Sequence, residues 1–286
     1  MQQMFLGLGA KVIEHTVSDG DTDLNASTIF GSDFADSVNK RIIISSGHEI
    51  GATSSTSNRA LTVPAGMGGK LEIKNLGTIS GFGGTGGAAG AGAPKGQTPG
   101  TGSAGADGGS AIYIASAGVS VVNTGTIRGG GGGGDGGDGG DDGGLTTNGM
   151  FQLTSGSYSG YYCHPGGGGA GGVGGNGQGY NTALTSGASG AGGAPRESGG
   201  SNWAAKGYQG TQIRAACDAQ AAGDSNKNYF NGQAGDAGGD GGGFGQAGNS
   251  TANASGGGGV AGKYIELAGG ISLANTPSGT LQGTAP

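Results

Sequence analysis

The sequence predicts a mainly β and irregular fold: a small N-terminal β domain, then a bundle of packed polyglycine-II helices carrying β inserts and long distal loops. Three observations predict it. Glycine supplies 77 of the 286 residues, while charged residues make up only 11% and aromatics 6%. Short aliphatic and β-branched runs, RIIIS, LEIKN, AIYIA, VSVVN and KYIEL, recur between the glycine tracts and suit sheet. Within the tracts the glycines keep a register of three, as at Gly81, Gly84, Gly87 and Gly90, or Gly102, Gly105 and Gly108.

Residues 1–80 read as the β domain. Strand-like runs at 11–17, 41–45, 61–63 and 71–74 alternate there with Asp, Asn, Ser and Gly turns. LEIKNLGTISG (71–81) aligns without gaps on VSVVNTGTIRG (119–129). ISLANTPSGTLQG (271–283) is a third copy once Pro277 and Ser278 are taken as an insertion. Two copies lead directly into glycine tracts, so the repeat reads as a β edge that anchors the tracts at one end.

Residues 81–286 form the glycine-rich domain. Glycine loses more backbone entropy on folding than any other residue, so ordered tracts of it need a dense external hydrogen-bond lattice. A left-handed helix of three residues per turn has no internal hydrogen bonds. It places every third residue on one face and leaves its amides to neighbouring helices, provided no Cβ keeps the backbones apart. The substituents keep the same register at Asp135, Asp138 and Asp141, at Ala170, Val173 and Asn176, and at Ala234, Ala237 and Asp240. They are expected to mark faces open to solvent or to the next layer. Collagen would need strict Gly-X-Y and abundant proline, against the seven prolines present. Calcium-binding β-rolls need a recurring aliphatic that GGDGGDGGDDGG lacks, so residues 135–142 read as a solvated acidic face and no metal site is expected.

The formal charge of −6 and the absence of a Lys/Arg run exclude nucleic acid as the expected partner. No apolar stretch is long enough for membrane insertion. The opening MQQMFLGLGAKVIEH has neither the basic nor the apolar region of a signal peptide, so synthesis in the cytoplasm without export is expected. His15, His48 and His164 stand in unrelated contexts, and HExxH, GxSxG and CxxC are all missing from the sequence. Cys163 and His164 are adjacent, but neighbouring side chains diverge in an extended chain. The expectation is a protein that is not an enzyme and takes no cofactor.

SDGDTDLNASTIFG, RIIISSGHEIGATS, an aliphatic stretch ending in PAG, and LEIKNLGTISGFGGTGGAAG together resemble the glycine-rich tip segments of tailed-phage tail fibres, the receptor-binding adhesins. Motifs carry the resemblance over residues 20–140, and the alternation of glycine runs with loops carries it over 140–286. It implies a sandwich of polyglycine-II helices that displays variable loops to a bacterial outer-membrane protein or surface glycan. It also implies other tail-fibre subunits as partners, with the chain as a homotrimer or a single cap on a trimeric fibre, and a place at the fibre tip of the virion. Contact residues do not carry over, because the loops are the divergent part of such proteins.

Three longer interruptions separate the glycine runs, at 94–99, 145–165 and 196–232. The last two contain Phe151, Tyr158, Tyr161, Tyr162, Trp203, Tyr208, Tyr229 and Phe230 among Ser, Gly and Asn, the mixture that binding loops favour. These aromatics are the candidate receptor-binding residues. If the run from Gly81 leaves the β base, chain parity puts all three interruptions at the far end, with YNTALTS (180–186) turning at the base. NSTANAS (249–255) would then also turn at the base and send the last strand-like run the wrong way, a conflict within the reading. Cys163 and Cys217 share the far end, and a disulfide between them is expected there, although two free thiols fit the composition equally. The alternative function is ice binding, since small antifreeze proteins also use packed polyglycine-II helices; long aromatic loops would serve no purpose on a flat ice-binding face.

Overall fold

The computed structural model describes residues 11–53, 58–94, 97–141, 151–152, 162–164, 166–180, 182–193, 197–199, 215, 219–220, 231–251 and 256–286. The fold is mainly strand and irregular chain. Three four-stranded sheets dominate the β part. The first is β1 (Val12–Thr16), β3 (Asn39–Ile44), β6 (Leu71–Asn75) and β9 (Val119–Asn123), in that order. The second is β4 (Glu49–Gly51), β7 (Thr78–Ser80), β10 (Thr126–Arg128) and β15 (Thr280–Gln282). The third is β2 (Leu24–Asn25), β5 (Leu61–Val63), β8 (Ile112–Ile114) and β14 (Ile265–Leu267). All of their pairings are parallel. Successive circuits of the chain therefore lay one strand on each sheet, as with β3, β4 and β5, then β6, β7 and β8, then β9, β10 and β14. The result is a three-sided parallel solenoid.

The alternation in each strand explains why the sheets close on a core. LEIKN buries Leu71, Ile73 and Asn75 and leaves Glu72 and Lys74 half-buried, the period of two that a pleated strand imposes. Parallel register stacks like on like, so Ile42, Ile73 and Val121 form one buried column and Leu61, Ile112 and Ile265 another. On the outer face Arg41 bridges two circuits, donating to Glu72 at 2.7 Å and to Glu14. Glu72 first, then Glu14, raise the pKa of the guanidinium. A short helix, α1 (Ala26–Phe30), is capped by the Asn25 side chain, which accepts from the Ser27 N–H. Together with the 3-10 turn Gly31–Phe34 it sends Phe30 and Phe34 into the core. The sequence reading had no helix here, because a single turn has no periodicity to detect.

The internal repeat is an asparagine ladder. Asn75 Nδ2 donates to Asn123 Oδ1 at 2.7 Å, and Asn123 Nδ2 donates to the Ser278 carbonyl at 2.6 Å, both asparagines being buried. Thr78, Thr126 and Thr280 stack in register, as the alignment of the three copies requires. In the third copy the inserted Pro277-Ser278 displaces Asn275, which hydrogen-bonds the Val121 N–H and C=O instead.

Both glycine-rich excursions leave the solenoid after a strand of the second sheet and re-enter at a strand of the third, β7 to β8 and β10 to β14. The parallel register of β7 and β10 continues into them. Gly81, Gly84, Gly87, Gly90 and Ala93 donate in turn to the carbonyls of Arg128, Gly131, Gly134, Gly137 and Gly140, at 2.8–3.0 Å. Run 129–141, the GGGGGGDGGDGGD tract, lies at the centre and is almost wholly buried. Its successive amides fan out by turns: Gly133 donates to Ala106, Gly134 to Gly175 and Asp135 to Asn249. Its carbonyls accept from three other runs: Gly131 from Gly84, Gly132 from Gly242 and Gly133 from Gly259. Runs 81–93, 100–109, 166–179, 231–243, 246–251 and 256–262 thus surround it, and run 182–193 packs outside the 166–179 and 231–243 pair, Ala188 donating to Val173 and accepting from Gly238.

Close approach explains the glycine. A Cβ on Gly134 would overlap the carbonyl of Gly239, and one on Gly171 the carbonyl of Gly137. The polar substituents have a role that the sequence did not suggest. Their oxygens accept amides of neighbouring runs: Asn176 Oδ1 from Gly86, Ser103 Oγ from Ala88, Asp138 Oδ1 from Gly102 and Asp240 Oδ1 from Gly187. The solvated acidic face expected at 135–142 is corrected at its first member. Asp135 is 0% exposed, and its carboxylate accepts the amides of Gly239 and Thr251 at 3.1–3.2 Å. It faces inward because a neighbouring run supplies donors there, whereas Asp141 is exposed. Asp142 lies outside the described residues.

Candidate functional site

The ends of the runs define the geometry. At the solenoid end, Tyr180 lies over Gly51, where a Cβ would overlap its ring. Phe244 stacks on the Arg128 guanidinium, 3.7 Å from the ring centroid, and Arg128 is held in turn by Glu49 at 2.9 Å. Phe244 and Gly245 form a tight turn, with Gly245 at φ +66° donating to Gly129. This turn resolves the parity conflict. The chain reverses at 244–245, travels outward again as 246–251, and returns as 256–262 to β14 in the correct direction. The signal was a lone aromatic in GGGFGQ, which interrupts the register of three.

At the opposite end the flanks of the three long interruptions converge. Ala93 donates to Gly140 at 3.0 Å, Gly168 to Ala93 at 2.9 Å, Gln233 to Asp141 at 2.9 Å and Gly235 to Ala191 at 3.0 Å. The first interruption begins with a turn in which the Gln97 N–H reaches the Pro94 carbonyl at 2.9 Å. The other two share a small antiparallel sheet of β11 (Phe151–Gln152), β12 (Tyr162–His164) and β13 (Glu197–Gly199). Phe151 pairs with Cys163, and Tyr162 with Gly199. Loop 145–165 is therefore tied through backbone to the start of loop 196–232.

Of the candidate residues, Tyr158, Tyr161, Trp203, Tyr208, Tyr229 and Phe230 lie outside the described residues, as does Cys217. Phe151, Tyr162 and Cys163 are placed through the backbone of their strands alone. Among the described residues no group of three or more His, Cys, Asp or Glu could hold a metal ion. No helix among them is long and apolar enough to cross a membrane.

No curated protein matches the sequence. The crystal structure of the gp37-gp38 adhesin tip complex of the bacteriophage S16 long tail fibre is similar at a TM-score of 0.42 and 17% identity, over 95% of this chain and 82% of that one. The family described as phage tail fibre adhesin Gp38 matches residues 12–169, more than half of the sequence. The chain belongs to the phage tail fibre adhesin Gp38 family, which makes it a receptor-binding component of the virion tail.

Proposed function

We propose that this adhesin binds a bacterial outer-membrane protein or surface glycan through loops 145–165 and 196–232, with Phe151, Tyr158, Tyr161, Tyr162, Trp203, Tyr208, Tyr229 and Phe230 as the contact residues. The observation that carries the reading is the convergence of the loop flanks at the end remote from the solenoid, with the two long loops joined by β11, β12 and β13. Aromatic rings on such loops supply large contact area at small entropic cost. The runs that carry them are polyglycine-II helices in this reading, supported by the three-residue recurrence of donors along each run and by the central run's six neighbours. Cys163 and Cys217 would restrain the same end as a disulfide.

In this reading residues 1–80 are chiefly an attachment unit and residues 81–286 chiefly a display unit, with β8, β9, β10, β14 and β15 of the second stretch completing the solenoid. Attachment to other tail-fibre subunits, as a homotrimer or a single cap, would use the solenoid end at β1. Among the described residues β1 has a partner on one side only, and Val12 is 39% exposed. In this reading the adhesin is not an enzyme and takes no cofactor.

Replacing Tyr161, Tyr162, Trp203 and Tyr229 together by alanine tests the contact residues. The expected outcome is loss of adsorption to host cells, since each anchor contributes on the order of 1–2 kcal/mol and two already amount to tenfold or more in affinity. The unfolding midpoint should stay at the parent value. Adsorption at the parent level would remove the loops from the site, and a lost midpoint would assign the rings to local cores instead.

A further inference from the structure

A cleft of about 350 Å³ opens where the glycine runs meet the third sheet, far from the loop end, and is lined by Arg59, Asp107, Ser110, Val260, Lys263 and Glu266. Arg59 and Glu266 are engaged with each other, the guanidinium Nη2 and Nε donating to Oε2 at 2.6 and 2.9 Å. Asp107 accepts the Val260 amide at Oδ1 over 2.8 Å, which leaves Oδ2 to the cleft. The Lys263 ammonium has no hydrogen-bond or ion-pair partner among the described residues. Ser110 is 7% exposed, and its hydroxyl likewise has no partner there. Val260, 58% exposed, adds an apolar surface to the wall.

The charges balance, Arg59 and Lys263 against Asp107 and Glu266. A simple anion would meet two carboxylates and a simple cation two bases. A ligand whose every polar group both donates and accepts satisfies ammonium, carboxylate and the Ser110 hydroxyl together, and a C–H face suits Val260. The volume lies at the lower end of the range of about 300–1,000 Å³ for small-ligand sites, enough for a single sugar ring. We infer that the cleft is a monosaccharide-binding site for one neutral, hexose-sized unit. This site is independent of the loop reading, because it lies on the solenoid side of the runs.

Saturation-transfer NMR on the full chain, with the methyl glycosides of glucose, galactose, mannose and N-acetylglucosamine as probes, tests it. At least one glycoside should receive transfer. Lys263→Met and Asp107→Asn should each weaken that binding about tenfold, as expected for hydrogen bonds to charged groups. Asp107→Asn keeps the Oδ1 acceptor for Val260, so the run should stay in place. Val260→Trp, which fills the cleft from an exposed position, should abolish the signal with the unfolding midpoint unchanged. No transfer from any of the four probes would overturn the inference, as would a signal undiminished in Val260→Trp. The loop-alanine variant should retain the glycoside signal, so failure here and failure of the loop reading give different results.

Discussion

The solenoid and the glycine runs meet the same requirement, that buried backbone be hydrogen-bonded, with opposite materials. The solenoid buries Ile42, Leu61, Ile73, Ile112, Val121 and Ile265 at 0% exposure, and its ladders satisfy amides along two edges of each inner strand. The central run buries almost no side chain and satisfies amides in three directions by turns. One region is held by apolar area removed from water, the other by polar groups paired at a density that side chains would prevent. Tolerance to substitution should therefore invert between them: side chains lost in the solenoid, side chains gained in the runs.

Gly134→Val should produce the largest effect and breaks the comparison at the centre. Its Cβ would overlap the Gly239 carbonyl, and several hydrogen bonds worth about 1 kcal/mol each would be lost together with the cost of stranded amides. Loss of soluble, adsorption-competent protein is the expected readout. Ile73→Ala removes side-chain mass from the solenoid core and should cost about 2–5 kcal/mol, read as a lowered denaturation midpoint. An equal or greater loss than Gly134→Val would mean that apolar burial governs both regions. Gly192→Ala supplies the smallest effect. Its added methyl meets no atom within 4 Å, so stability should change by no more than about 0.5 kcal/mol in thermal unfolding. A large loss at Gly192 would show that the runs reject any side chain, wherever it points.

The two regions were also unequally legible. RIIIS, LEIKN, AIYIA, VSVVN and KYIEL all fall on strands, because alternation and β-branching report a half-buried pleat. Their parallel pairing left no mark on the strands themselves. It lay in the repeat, whose Asn75 and Asn123 stack across circuits, although the alignment alone gives no direction. In the runs, the register of three was visible, but not which members faced inward. Asp135 and Asp141 look equivalent in sequence, and their surroundings are set by neighbours a hundred residues away. The turn at Phe244 is not legible in the sequence, because one residue cannot announce a turn by periodicity. The cleft escaped for a similar reason: Arg59, Asp107 and Lys263 come from three distant segments that meet only once the excursions close.

The continuous register from β7 and β10 into runs 81–93 and 129–141 limits how such a protein can change length. An insertion of one or two residues would rotate every following amide away from its acceptor. On the polyglycine-II reading proposed above, three residues would restore the rotation but add about 9 Å at about 3.1 Å per residue, so neighbouring runs would have to lengthen together. The height of the display is thereby restricted to steps shared by all the runs, while the loops beyond them can take any length and composition. If the loops carry the receptor contacts as proposed, receptor choice could change by loop replacement without any change in the support.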